Sequence, residues 1–380
     1  MTRNTERLED GTSRRTFIAA TGTASALALA GCAGSGGSND GTTSGDGGGN
    51  GNDNGGGKKG LQTDVLTGDG SSTVFPITNT AASYWNSNPE PGDEDYWPKK
   101  WAKEQYSTDA RLADFFAGEY GYEATGKRSK PPFRVSIALS HSGTGIEGVM
   151  NGRVDIGDSS ASAKAELAGK NVSDSKMKKF VDHVVGVDGQ PIVVSKEIKD
   201  AGVEQITLSQ LKKIYKGTIT NWSEVGGPDR DILALGRAQG SGTDTAFRKN
   251  VYGDPKASID PDQRYGKNQQ LQQAVSKANN AIAYIALAFV QPSGQVPPIA
   301  LNIEDTVYEY GNNLGAKEYP LSRDLHAYTW ENTSAQEAAF LNFVLSDFGQ
   351  EMFVKGNNYF ALPTDRLEKQ REKVKPSKYE

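Results

Sequence analysis

Arg237-Ala238-Gln239-Gly240-Ser241-Gly242-Thr243 is the stretch on which the reading of this 380-residue chain turns. Before it, Ile232-Leu233-Ala234-Leu235 has the composition of a buried strand; after it, Thr245 to Val251 carries helical spacing. The loop therefore stands where a strand hands over to a helix. With no bulky side chains, it lets main-chain N–H groups and hydroxyls converge on one spot, and the unpaired N–H groups of the following helix add roughly half a positive charge. Such a junction is a ready anion site. Gly70-Ser71-Ser72-Thr73 and Ser142-Gly143-Thr144-Gly145 repeat the arrangement, the first after Asp64-Val65-Leu66-Thr67 and the second after the alternating apolar run Phe133, Val135, Ile137, Leu139. Three such loops can surround one small oxyanion, with Arg237 at a strand end as a planar, permanently charged donor.

Working outward, Val74, Ile77, Ala81, Tyr84 and Trp85 predict a helix over about 74–86, with Pro76 tolerated in its first turn. Val154-Asp155-Ile156-Gly157 reads as a buried strand, and a helical stretch follows from Ala161 to about Leu167. The apolar run from His183 to Val194 is broken by Asp188-Gly189-Gln190, which suits a chain crossing between two lobes. Leu208, Leu211, Ile214 and Tyr215 form an amphipathic helix capped by Thr207 or Ser209 and stopped at Gly217. Ala281-Ile282-Ala283-Tyr284-Ile285 is expected as the return strand. Ser334 caps a helix carrying Ala338, Phe340, Leu341, Phe343, Val344 and Leu345, and 366–380 reads as charged and exposed. Residues 87–132, rich in Pro, Lys and Tyr, break the rhythm and read as an insertion, with a helix near Ala110–Phe116. Its aromatics Trp97, Trp101, Tyr106 and Tyr120 suit a packed surface elaboration. Strands alternating with helices give an α/β class.

The first 32 residues stand apart from this. Ser13-Arg14-Arg15-Thr16-Phe17-Ile18 has the form of a twin-arginine export signal. The run Ala19–Ala30 is too short and too rich in small residues to span a bilayer, and Leu29-Ala30-Gly31-Cys32 has the form of a lipobox. Cys32 is the only cysteine, so neither disulfides nor thiolate metal sites are expected, and lipidation is the role its position suggests. Residues 33–60 are Gly, Ser, Thr, Asn and Asp with almost nothing apolar, the composition of a tether. The chain carries a net charge of −5. An acidic exterior argues against nucleic acid as a partner and leaves an anion site dependent on local donors. The three histidines, His141, His183 and His326, make no metal-binding spacing, and no cofactor is expected. His141 beside the second loop reads as a packing residue.

The ordered set of motifs resembles the phosphate-binding protein family of ABC importers. The resemblance covers most of 62–365 through Gly70–Pro76, Ser142–Ile146, Asp155–Ser160, Ile214–Trp222 and Arg237–Thr243. It implies a two-lobed type II periplasmic-binding-protein fold, each lobe a mixed β-sheet flanked by helices, with two hinge-crossing strands. The lobes are expected as 61–187 (with the insertion 87–132) plus 286–380 for the first and 188–285 for the second. The resemblance also implies a monomer, exported and lipid-anchored, that captures inorganic phosphate and delivers it to the permease.

Carried over position by position, it assigns Ser72, Thr73 and the Val74 N–H to the first loop, Ser142 to the second, and Ser241, Gly242 and Thr243 to the third. Arg237 is the countercharge. The family commonly places a carboxylate after Asp-Ile-Gly to accept the ligand's proton. Here Ser160 stands at that position, with Asp158 two residues earlier, and spacing alone does not say which points inward. Gln239 likewise replaces an acidic partner of the arginine. These departures keep open a site for sulfate, molybdate or tungstate, or a sensor role. An exported phosphatase fits less well, because no nucleophile elbow with a suitable His and Asp is present.

Overall fold

The computed structural model describes residues 61–376; the expected export signal, Cys32 and the stretch 33–60 expected as a tether lie outside them. In chain order the strands are β1 (Leu66–Gly70), β2 (Val135–Ile137), β3 (Ile156–Ser159), β4 (Phe180–Asp188), β5 (Ile192–Val194), β6 (Gln205–Thr207), β7 (Leu233–Arg237), β8 (Gln263–Tyr265), β9 (Ala281–Tyr284), β10 (Pro298–Ile303), β11 (Thr306–Tyr308) and β12 (Arg323–Trp330). They form two mixed sheets. The first runs β2-β1-β3-β12-β4, with β1 parallel to β2 and β3, and β12 antiparallel to β3 and β4. The second runs β11-β10-β5-β9-β7-β8, with β6 added alongside β10. This is the two-lobed α/β architecture expected from the alternation of strands and helices.

The parallel strands decide where a ligand can sit. β1 ends at Gly70, β3 at Ser159 and β7 at Arg237, so each delivers a Gly/Ser/Thr segment from its carboxyl end, the edge at which α/β sheets bind ligands. Helix Phe75–Ser87 begins just after the first loop, whereas helices Ser142–Met150 and Gly242–Tyr252 begin inside the second and third, so Ser142-Gly143-Thr144-Gly145, expected as a loop, is the first turn of its helix. Capping boxes start two other helices as their sequences predict: Thr207 with Gln210, and Ser334 with Glu337.

Helix Ser142–Met150 approaches the first sheet closely at Gly145, where an added Cβ would lie 2.6 Å from Asp69 O and 2.8 Å from Asp158 O. Those backbone atoms cannot move aside. Gly145→Ala should therefore cost about 1–3 kcal/mol, read as a lower denaturant midpoint at unchanged slope.

The chain crosses between the sheets where β4 ends and β5 begins, at the break of Asp188-Gly189-Gln190. The expected return does not hold. Ala281–Tyr284 is β9, an interior strand of the second sheet between β5 and β7, and the chain returns only between β11 and β12. The second sheet thus extends past 285 to Tyr308, because β10 pairs with both β5 and β6. Periodicity identifies a strand but not its partners, which here lie about a hundred residues away.

Two other expectations change. Residues 364–372 form a helix, Thr364–Glu372, whose Leu367 and Gln370 are buried, as is Val374 beyond it, so this part of the C-terminal stretch is docked rather than exposed. The insertion is anchored into the core. Asn88 Oδ1 caps the helix Leu112–Gly118 by accepting from Ala113 N (2.9 Å) and Asp114 N (3.3 Å). Trp97, fully buried, packs against Tyr106, Phe116 and Phe348.

His183 on β4 is buried with Nε2 against Thr329 Oγ1 (3.2 Å) and Thr333 Oγ1 (3.1 Å). Burial, reinforced by Lys373, pushes its pKa down from 6.5 to about 4. As pH falls from 6.5 towards 4, the unfolded chain takes up a proton that the folded chain refuses, so this contribution to stability is lost across that window and levels off below it. His183→Gln should flatten the pH dependence of the urea midpoint between pH 4 and 6.5.

Candidate anion site

All three loops and Arg237 meet between the two sheets. Ser72 and Thr73, at the start of helix Phe75–Ser87, come from the first lobe; Arg237, Ser241, Gly242 and Thr243 come from the second, and all the side chains are buried. Arg237 Nη2 donates to Ser72 Oγ (3.1 Å) and Nη1 to Thr243 Oγ1 (3.2 Å), and Thr73 and Thr243 hydroxyls touch at 3.0 Å. The second loop closes on the third: Gly143 N donates to Gly240 O (3.2 Å), and a Cβ on Gly242 would lie 2.2 Å from Ser142 Oγ and 2.6 Å from Ser160 Oγ.

At the end of β3 the three consecutive side chains part ways. Ser160 joins the cluster, its N–H donating to Ser142 Oγ (3.1 Å) and its Oγ accepting from Ser71 Oγ (3.1 Å). Ser159 Oγ donates to Ala161 O. Asp158 accepts from Thr78 Oγ1 at 2.6 Å, on helix Phe75–Ser87, and its Oδ1 has no hydrogen-bond partner among the described residues. Burial raises its carboxyl pKa to about 7, with the Thr78 bond opposing and Asp69 adding to the rise. The Val74 N–H donates to Ser71 O (3.1 Å). Ser241 Oγ is buried and, among the described residues, unpartnered.

Three participants carry no signal in the sequence. Asn268 donates from Nδ2 to Ser72 Oγ (3.1 Å) and Thr73 Oγ1 (3.0 Å). Arg323, the first residue of β12, donates from Nη2 to Thr243 Oγ1 (3.2 Å) and Thr73 Oγ1 (3.4 Å). Asp188, the last residue of β4, accepts from Arg323 Nε (3.0 Å) and Nη2 (2.6 Å). Neither Asn268, Asp188 nor Arg323 stands in a Gly/Ser loop, so only their tertiary position reveals them. Ser71, within the first loop, donates from Oγ to Ser160 Oγ and accepts from Thr73 N there.

Donor counting defines what this cluster can do. A hydroxyl has one hydrogen and two lone pairs. Ser72 Oγ accepts from Arg237 Nη2 and Asn268 Nδ2; Thr243 Oγ1 accepts from both guanidiniums; Thr73 Oγ1 accepts from Asn268 and Arg323. With their lone pairs occupied, these hydroxyls are left as donors. At most one of the Thr73 and Thr243 hydrogens can serve the contact between them.

Arg237 supplies the charge. It is 1% exposed, and among the described residues no carboxylate oxygen lies within ion-pair distance of it. Desolvation lowers its pKa to about 9, with Tyr284 opposing and Arg323 contributing to the fall. It remains cationic at neutral pH. A neighbouring network holds it in place: Tyr284 hydroxyl accepts from Arg237 N (3.1 Å) and donates to Asp244 Oδ1 (2.6 Å), while Asp244 is paired with Arg248 and Arg264. His141 lies close by, its pKa lowered by burial first and then by Arg237 and Lys267, which disfavours its charged form.

Two lobes meeting over a buried, donor-rich cluster define a two-lobed solute-binding protein, and the family comparison agrees: residues 122–347 match the model of the PBP superfamily domain. The phosphate-binding protein PstS of Bacillus subtilis (strain 168) is 31% identical over 234 residues, covering 61% of this chain and 72% of that protein. The phosphate-binding protein PstS of Staphylococcus aureus (strain USA300) is 26% identical over 333 residues, covering 84% of this chain and 86% of that protein. The chain belongs to this PstS family of phosphate-binding proteins. Its fold is shared with a putative phosphate ABC transporter substrate-binding protein from Clostridium perfringens, solved with bound phosphate. The TM-score is 0.57 at 22% identity, with 79% of this chain and 100% of that one covered. An ABC-type phosphate transport receptor from Vibrio cholerae gives 0.52 at 22% identity, over 78% and 100%.

Proposed function

We propose that this chain captures inorganic phosphate between its two lobes outside the cytoplasm and hands it to an ABC permease. The observation that carries the reading is Arg237, a buried guanidinium without a carboxylate partner among the described residues, facing hydroxyls that can only donate. Burying a lone cation is costly, and a tetrahedral dianion accepting several charge-assisted hydrogen bonds offsets that cost. Ser72, Thr73, Val74, Ser142, Asp158, Ser160, Arg237, Ser241, Gly242 and Thr243 are the ligand-binding set in this reading. For the Val74 N–H to reach the anion, its bond to Ser71 O must give way, and for Asp158 to act as proton acceptor, its carboxyl must turn from Thr78.

Binding rather than catalysis follows from the same donors. The Ser72, Thr73 and Thr243 hydroxyls around Arg237 cannot act as a general base, since their lone pairs are taken up by guanidinium and amide N–H groups. No helix among the described residues is long and apolar enough to cross a membrane. In this reading Cys32 provides the membrane attachment through lipidation and the chain acts as a monomer.

Ser160, a hydroxyl where a proton-accepting carboxylate would favour phosphate, supports a second reading in which another tetrahedral oxyanion such as sulfate is the cargo. Calorimetric titration with phosphate and with sulfate separates the two. Saturable phosphate binding at micromolar or tighter affinity, with sulfate a weak competitor, is expected; the reverse order would establish the second reading, and no heat with either anion would end both.

A further inference from the structure

Arg323 looks like a second anion ligand, yet its hydrogens are already allotted. Nε and one Nη2 hydrogen go to Asp188 Oδ2, the two Nη1 hydrogens to Ser160 O (3.4 Å) and Gly242 O (3.1 Å), and the remaining Nη2 hydrogen is shared between Thr73 and Thr243 hydroxyls. A guanidinium has five N–H groups, so none is left for a ligand. Arg237 differs. Its Nε donates to Tyr265 O, Nη2 to Ser72 Oγ and Gly266 O, and Nη1 to Thr243 Oγ1, which leaves one Nη1 hydrogen available.

Arg323 and Asp188 face each other across adjacent strands of the first sheet. Asp188 closes β4 where the chain leaves the first sheet, and Arg323 opens β12 where it returns. The buried Asp188–Arg323 pair therefore ties the two crossings together, while the rest of the guanidinium reaches Ser160 and Thr73 in the first lobe and Gly242 and Thr243 in the second. We propose that Arg323, held by Asp188, is a positioning residue: by occupying acceptor lone pairs of Thr73 and Thr243 only when both lobes are in place, it turns their hydroxyls into donors and couples lobe closure to anion binding. This rests on the phosphate-binding reading above.

The test is a double-mutant cycle on the full chain, with phosphate affinity measured by calorimetry and folding by thermal melting. Arg323→Lys keeps the charge but cannot span Asp188, Thr73 and Thr243 together, and should weaken phosphate binding about 10- to 100-fold. If Arg323 acts through the hydroxyl, Thr243→Val should cost much less in the Arg323→Lys background than in the parent. Asp188→Asn, which leaves the arginine and its charge in place, serves as the milder variant should Arg323→Lys not fold, and should also weaken binding. A folded Arg323→Lys or Asp188→Asn chain binding phosphate within twofold of the parent would overturn the proposal, as would independent, multiplying effects in the cycle. Loss of stability with unchanged affinity of the folded fraction would mark a structural role and overturn it equally. Failure of the parent chain to bind phosphate would instead defeat the underlying reading.

Discussion

Arg237→Met is expected to abolish measurable phosphate binding while leaving the chain folded. The parent side chain contributes a buried charge with no carboxylate within ion-pair distance among the described residues and an unused Nη1 hydrogen, and it also holds Ser72 and Thr243 as donors. Breaking a buried ion pair by removing one partner costs about 3–5 kcal/mol, so a loss of roughly a thousandfold in affinity is expected. The effect on stability runs the other way. Methionine keeps much of the volume and removes a cation that the fold buries without a carboxylate partner among the described residues, so the ligand-free variant should melt at or above the parent's temperature. Phosphate at a hundred times the dissociation constant stabilises a binding protein by about 2.7 kcal/mol. The parent should show that gain as a raised melting temperature and the variant should show none. A variant that is still stabilised by phosphate would remove Arg237 from the site.

The second large effect is expected from Gly242→Ala. A methyl group there would lie 2.2 Å from Ser142 Oγ, 2.6 Å from Ser160 Oγ and 2.9 Å from Ser142 Cβ, atoms of the opposite lobe on short side chains with little room to withdraw. The backbone of Gly242 does not take a left-handed conformation, so alanine brings no strain of its own. The clash exists only when the lobes are together. The variant should therefore fold and melt like the parent without ligand, lose at least about a hundredfold in phosphate affinity, and fail to compact in small-angle scattering on phosphate addition. Parent-like affinity would show that the lobes need not approach this closely to hold the anion.

Much of the site was legible because its physical signature is local. A strand end, a loop without bulky side chains and a helix start fall within about ten residues of one another, and three such units, around Ser72, Ser142 and Ser241, can be read from composition and spacing. The fold class followed from the same alternation. Asp158, Ser159 and Ser160 mark the limit of that approach: all three are small, polar and adjacent, and β3 pleating together with the chain's turn after Ser159 sends one to Thr78, one to Ala161 and one into the cluster. The return crossing is not legible in the sequence for a related reason. Ala281–Tyr284 has the composition of any buried strand, and its place between β5 and β7 depends on pairing across long stretches of sequence.

What the amino-acid sequence alone determined is the set of anion-binding loops, their order and the α/β alternation that carries them, because helix starts, turns and strand ends are governed by interactions within a few residues. Only the tertiary structure decided which groups complete the cluster. Asn268, Asp188 and Arg323 come from unrelated segments, and the donor-only character of Ser72, Thr73 and Thr243 exists because those segments bring N–H groups to lone pairs that no local pattern could assign. Desolvation works at the same level: Arg237 is cationic in any sequence context, but its burial with no carboxylate in ion-pair distance among the described residues arises only when two sheets close over it.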